Sequence, residues 1–547
     1  MYCESVRCHT HVWHRSRSLL AQEPYELDVD IYSPDGLDQI VKVKLPVILP
    51  HELFAALSDK GGDVWVKHVW APDACQEWWT QSAATDYMQG HTVLADPSQW
   101  KYTVPLGLHG DAAKFTKLDS LFTLSWNNVA APKGVSAFDT RFLITAIPTP
   151  WLIKGVTVNQ VLVAVAWSMA VLRDGVHPDR DHQFERWPLH SQRQRMALTS
   201  LSAFGAKASV VDYRGDWEHQ TSFWSVQNWN NLDGMCFACR ASWRGNLVYT
   251  NFGSAAPWQT QPRTTAEFMA ANPPGIRNPL ADLVDWRLEF IRFDETHANK
   301  LGISRWSIAS SLLCLSDRLV FGDGPLEQRL GVAWSQFKRW LLRHGLQCNA
   351  RRFTKARLGL GAIQYCESST KAWNSRIVIS WLADVAIAAP LAAEADSVLA
   401  THLHALSTVF QTMERAGNFF SDAELKEFVD NGMLVLATNA WLSAWALRER
   451  SLRWCLRPKH HAFQHLILLA QRDKRNPKRY ATILDEDFIG RVVRVARVCH
   501  RRTMAEGVLF RYLVRLRRRW CGLDNGKRRR QPQSHRRRIL RFPPARL

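Results

Sequence analysis

The chain has 547 residues, of which 46% are apolar, 22% charged and 11% aromatic. That length exceeds one simple core and that composition excludes a disordered or fibrous chain, so two or three packed domains are expected. A net charge of +20 with a pI near 9.7 points to an anionic partner, with nucleic acid ahead of an acidic membrane surface.

The eleven cysteines are scattered with no regular framework, which suits a reducing compartment better than a secreted one. The first twenty residues lack the apolar core of a secretory signal. The two most apolar windows, Val156–Leu172 and Ile377–Ala393, are interrupted by Asn159, Gln160 and Asp384 and read as buried helices, so no membrane association is expected.

Residues 1–34 read as an irregular leader, with Cys3, Cys8, His9, His11 and His14 on a solvated tail. A strand over Ile40–Leu45 passes through Pro46 and Pro50 into a short helix near His51–Ser58. Residues 1–100 form an N-terminal module of uncertain fold, and the stretch holding Trp65, Trp70, Trp78 and Trp79 resists assignment. Val104–Asp111 then reads as an apolar strand that delivers one carboxylate to its end, with Gly110 allowing close backbone approach. Two more short apolar runs, Leu121–Val129 and Arg141–Ile147, complete a meander bounded by Pro/Gly turns. Thr157–Leu172 is apolar on nearly every face, as a helix buried on a sheet would be.

His177–Arg195 is a polar loop or insertion. Ala208–Tyr213 is a further short strand, with Gly215 and Asp216 just beyond it. Trp217–Asn228 is helical or irregular, and Leu280–Ile291 is a helix or extended run. Beyond Asp294 the chain is mostly helical, over Ile303–Leu319, Leu330–Leu342, Ala372–Ala388, Ser397–Ala416, Asp422–Arg448 and Asp487–Arg518. Residues 521–547 are a basic disordered tail with Lys/Arg runs.

Asp111, Asp216 and Asp294, with its neighbour Glu295, are the candidate catalytic carboxylates. Phosphoryl transfer on DNA uses two divalent ions about 4 Å apart, and Mg²⁺ takes hard oxygen donors, so acids converging from separate strands suit it. Taken singly, each of these residues is equally a turn-former or a helix cap. Cys236-x-x-Cys239 has the spacing of half a zinc site, which His219, His297 or another Cys could complete. His461 and His465 fall on one helical face, suiting a metal site or an ordinary face near phosphate. Arg475, Lys478, Arg479, Arg491, Arg494, Arg497 and Arg501 form a basic stripe able to follow a phosphate backbone; Asp485, Glu486 and Asp487 could pair with its first part.

The order of these blocks carries a resemblance. Leu108-His109-Gly110-Asp111, Gly215-Asp216 with Cys236-x-x-Cys239, Asp294-Glu295-Thr296-His297, and Arg457–His461 with His465 resemble the block order of DDE/D transposases of the CACTA (En/Spm-like) type. The resemblance spans roughly residues 106–501. It implies an α/β fold with an RNase H-like mixed sheet over 101–310, a Cys-x-x-Cys insertion around 220–275, and a helical domain over 311–520. It also implies Mg²⁺ (or Mn²⁺) held by Asp111, Asp216 and Asp294 or Glu295, structural Zn²⁺ on Cys236, Cys239 and His297, DNA as partner, homo-oligomers at transposon ends, and a nuclear location. Asn299, with Lys300 beside it, stands where the pattern expects an acid, so a catalytically inactive, nucleic-acid-binding derivative is the second expectation.

Overall fold

The computed structural model describes residue 20 and residues 23–520, apart from 37, 132–135, 362, 390 and 391. The Cys/His-bearing start and the basic tail therefore lie outside the described residues. The described residues divide into two units, each assembled from separated segments: those up to 226 with 264–292 and 484–520 in the first, and 227–263 with 293–483 in the second.

The first unit is built on a four-stranded mixed sheet. β1 (Tyr25–Tyr32) and β2 (Ile40–Val47) form a separate antiparallel ribbon. The expected irregular leader thus contains a strand, whose alternating pattern buries Tyr25, Leu27, Val29 and Ile31. α1 (Pro50–Lys60) and α2 (Pro72–Ala83) follow, and α2 buries Trp78 and Trp79 of the stretch that the sequence left unassigned. The sheet itself comprises β3 (Thr103–Lys114), β4 (Ser120–Asn128), β5 (Phe142–Pro148) and β6 (Lys207–Arg214), in the order β5-β4-β3-β6. β3 pairs antiparallel with β4 and parallel with β6, and β4 pairs antiparallel with β5.

β3 is central and buried on both faces from Thr103 to Gly110, which explains its uninterrupted apolar character. α3 (Thr157–Asp174) makes the long crossover that a parallel β3/β6 pair requires and packs against β6, where Met169 and Ala170 lie with Ser209 and Tyr213. α4 (Trp217–Trp224) leaves β6 at Asp216. A single parallel bridge, Tyr213↔Ile291, extends the sheet beyond β6. The segment leading to it, Leu280–Ile291, is neither a long helix nor a strand: it contains two short 3₁₀ turns.

The second unit is helical. It holds α5 (Ser304–Asp317), α6 (Leu326–Arg343), α7 (Ala372–Ala388), α8 (Glu394–Arg415), α9 (Asp422–Arg448) and α10 (Pro458–Asp473). A loop segment over residues 227–263 belongs to the same unit.

The chain then returns to the first unit as α11 (Ile483–Ala496) and α12 (Met504–Trp520). The expected single helix over 487–518 is broken at Cys499–Thr503, where the His500 side chain caps a 3₁₀ turn. α11 lies on the sheet face opposite α3. Asp485 on α11 reaches Arg214 of β6 and Arg141 just before β5, and Arg497 donates to the carbonyl of Phe115 just past β3. No helix among the described residues is long and apolar enough to cross a membrane.

Candidate functional site

Two arrangements stand out, one in each unit. In the first, the parallel β3/β6 register runs Leu108↔Tyr213 and His109↔Arg214. Continued two residues, it sets Asp111 beside Asp216 at the same ends of adjacent strands, whose backbones lie about 5 Å apart. The close approach continues past the last pair: a Cβ on Gly215 would sit 3.2 Å from the carbonyl oxygen of Gly110. The register thus brings together two acids that are 105 residues apart in sequence.

Both carboxylates are half-buried and tied to local backbone. Asp111 Oδ1 accepts from the Ala112 N–H at 2.6 Å. Asp216 caps α4, its Oδ1 accepting from the His219 N–H at 2.6 Å. On the face that carries them, Asp485 is fully buried against Arg141 (3.0 Å) and Arg214 (3.4 Å). Burial alone would raise its carboxyl, but Arg141, Arg214 and His109 outweigh burial and hold it down to about 2. Its helix neighbours differ. Glu486 is half-buried, and Asp487 pairs with Arg491 at 3.0 Å.

The other predicted acids belong to the helical unit. Asp294 is buried and accepts from the backbone N–H groups of Thr296, His297 and Thr482 and from the Thr482 hydroxyl, and its Oδ2 lies 2.6 Å from His297 Nδ1. Burial pushes its carboxyl up, yet hydrogen bonding and charge from His297 and the bonds from Thr482 bring it below the usual range. Glu295 is buried in an ion pair with Lys300, and there burial wins and raises its pKa. Asn299, the replaced acid, is buried and its side-chain oxygen accepts from the Ser304 hydroxyl.

The second arrangement is a buried cluster of Cys236, Cys239, His461 and His465, whose ligand atoms all lie within 4.8 Å of one another. Cys236 Sγ is 3.4 Å from His465 Nε2, Cys239 Sγ is 3.3 Å from His461 Nε2, and the two Nε2 atoms are 3.1 Å apart. Four ligands around one tetrahedral zinc, with Zn–S and Zn–N bonds of ordinary length, stand about 3.3–3.8 Å from one another, so the set fits a single ion. Sequence supplies each half: two thiols three residues apart on a loop, and two imidazoles four apart on one face of α10.

Local structure readies the donors. The Ala238 and Ala241 N–H groups point at the two sulfurs, at 3.3 and 3.4 Å. The Arg263 guanidinium bridges the carbonyls of Cys236 and Cys239. Trp258 packs edge-on against His461, and Phe293 stacks on His465. Burial pushes the Cys236 thiol up, but Cys239, His465 and His461 together bring it well below its ordinary value; burial and the Cys236 neighbour push Cys239 up. The protein alone thus favours one thiolate, and a bound cation would let both ionise.

The cluster corrects the zinc expectation. His297 is engaged with Asp294, and His461 and His465 complete the set. His219, the other ligand considered, lies in the first unit against Gly110 and Gly215, where burial and nearby His109 lower its pKa to about 3.

The basic stripe also separates. Arg475 is only 2% exposed and lies over the Tyr480 ring, Lys478 pairs with Glu414, and Arg479 donates to the Gly417 carbonyl. These three belong to the helical unit and are not a solvent-facing stripe. Arg494, Arg497 and Arg501 are exposed on α11 and the turn after it; Arg491 is half-buried beside Asp487.

Compared with known proteins, the sequence matches no family model and no curated protein.

Proposed function

We propose that the first unit is an RNase H-like core of the DDE/D transposase class and that the chain cuts and joins DNA strands through carboxylate-held divalent ions. The observation that carries this reading is the placement of Asp111 and Asp216 at matching ends of neighbouring parallel strands. It is supported by the strand order β5-β4-β3-β6, three antiparallel strands and then a parallel one reached through a buried helix.

Asp111 and Asp216 are hard oxygen donors at half-buried strand ends, a donor set that fits Mg²⁺ or Mn²⁺. For the third carboxylate we assign Glu486 on α11. It follows directly on Asp485, which reaches Arg214 on the face of Asp111 and Asp216, whereas Asp294 is engaged by His297 and Thr482 and Glu295 is buried in its ion pair with Lys300. Bound divalent ions would activate the attacking hydroxyl and offset charge on the phosphate. Asp485, with its two arginines, fixes the helix that presents Glu486. Arg494, Arg497 and Arg501 would hold DNA phosphates by charge.

With the third acid on α11, Asn299 no longer marks a lost ligand. The alternative is an inactive derivative that only binds nucleic acid. Incubating the full chain with supercoiled DNA and Mg²⁺ separates the two. Active protein should nick or join strands, and Asp111→Ala should abolish this while leaving DNA affinity intact. Absence of cleavage by the unsubstituted chain with both Mg²⁺ and Mn²⁺, alongside salt-sensitive DNA binding, would leave the alternative.

DNA as partner, assembly into oligomers on transposon ends and a nuclear location belong to the same reading. The cluster of Cys236, Cys239, His461 and His465 serves it as a structural zinc site joining the 227–263 loop to α10.

A further inference from the structure

We propose that His219 is a positioning residue for the paired carboxylates, an inference that rests on the phosphoryl-transfer reading. Its ring occupies the space that side chains at two glycines would fill. A Cβ on Gly110 would lie 2.6 Å from His219 Nε2, and one on Gly215 would lie 2.6 Å from His219 Cδ2. Neither glycine has a positive φ, so what each supplies is the missing side chain rather than a left-handed backbone.

Gly110 immediately precedes Asp111 and Gly215 immediately precedes Asp216. Side chains alternate along a strand, so the ring sits under the sheet face opposite the one that carries the two acids. It is sandwiched there, stacked on Phe223 at 4.9 Å and on Phe122 at 6.3 Å between ring centroids. The linkage closes on itself, because the His219 N–H donates to Asp216 Oδ1. The imidazole is therefore a spacer, held by two aromatic rings on a helix turn whose backbone N–H is capped by Asp216, that fixes how far apart the ends of β3 and β6 stand. A wider or looser gap would misplace two ligands that must share a pair of ions.

The test uses Mn²⁺ as the probe, titrated into the zinc-loaded full chain and followed by electron paramagnetic resonance, with thermal melting recorded for every variant. Asp111→Ala should remove the tight Mn²⁺ site. His219→Ala should weaken it about tenfold or more, the range in which second-sphere supports act. His219→Phe, which keeps a planar ring in the slot, should restore affinity to near that of the parent. Gly110→Ala should weaken binding alone but add nothing in the His219→Ala background, because the collision is then gone; this pair keeps the test readable if one single variant melts early. Parent-like Mn²⁺ binding by His219→Ala, with Asp111→Ala still defective, would overturn the positioning role and spare the phosphoryl-transfer reading. Parent-like binding by Asp111→Ala would overturn both.

Discussion

The two units treat their chemistry-bearing residues in opposite ways. In the helical unit, ligands from a loop and from α10 meet in a buried cluster, wrapped by Trp258 and Phe293 and complete as a four-donor set. In the sheet unit, Asp111 and Asp216 sit half-buried at strand ends, each accepting from a local backbone N–H. A closed, saturated set suits an ion that holds structure, and an open carboxylate pair suits ions that must also touch a substrate. On the proposed reading, the difference separates staple from workplace within one chain.

Breaking the staple should have the largest effect. Stripping metal with a strong chelator, or substituting Cys236→Ser, should make residues 227–263 the first site of proteolysis and lower the melting temperature. Structural zinc in small domains contributes about 10–16 kcal/mol at neutral pH, and even a fraction of that would be decisive here. Unchanged melting and proteolysis would mean that the cluster needs no metal.

Breaking the workplace should leave stability alone. Glu486→Gln should reduce Mg²⁺-dependent strand cleavage at least about a hundredfold, measured on supercoiled DNA, without shifting the melting curve. Asp294→Asn should do the reverse, lowering stability because one of the two buried oxygens that between them accept five hydrogen bonds becomes a donor, while sparing cleavage in whatever protein stays folded. If Asp294→Asn silences a fully folded protein and Glu486→Gln does not, the assignment of the third acid is wrong.

Asp485 sharpens the comparison by pH. Its carboxyl is held down to about 2 in the folded chain, against about 3.9 when unfolded, so its contribution is fully present above pH 4 and lost as pH falls through 2. That contribution is about 2–3 kcal/mol. Melting between pH 5 and pH 2 should therefore fall less steeply in Asp485→Asn than in the parent. The variant should also be about 3–5 kcal/mol less stable at pH 7, because Arg141 and Arg214 lose their buried partner.

The smallest expected effect is on the surface. Arg497→Ala should lower the slope of log affinity against log salt for duplex DNA by about one, uniformly across sequences. Arg475→Ala should leave that slope unchanged, since Arg475 is buried.

What was legible in the sequence was local. β3, β4, β5 and β6 announced themselves as short β-branched and apolar runs between Pro/Gly turns, and α7 and α9 were bounded correctly by their periodicity. β1 was missed because the acids Glu26, Asp28 and Asp30, on its outward face, make Tyr25–Tyr32 look like a solvated leader. The break between α11 and α12 was hidden because Val498, Cys499 and Arg501 continue a helical spacing with no Gly or Pro to stop it.

Long-range partnerships could not be read at all. His461 lies 222 residues from Cys239, and nothing in either stretch names the other. The placement of α11 was equally hidden. Asp485, Glu486 and Asp487 look like solvent-facing partners of the neighbouring arginines, until burial shows that Asp485 pairs with Arg141 and Arg214 on the sheet. The role of Gly110 was half legible: the missing side chain was anticipated, whereas the ring that fills its place comes from a residue 109 positions away.

The most direct measurement is anomalous scattering from crystals of the full chain grown with Mn²⁺ and with zinc retained. Manganese peaks are expected against the carboxylates of Asp111, Asp216 and Glu486, with zinc alone at the Cys/His cluster. Manganese bound instead by Asp294 and Glu295, or none at Asp111 and Asp216 under saturating metal, would contradict it.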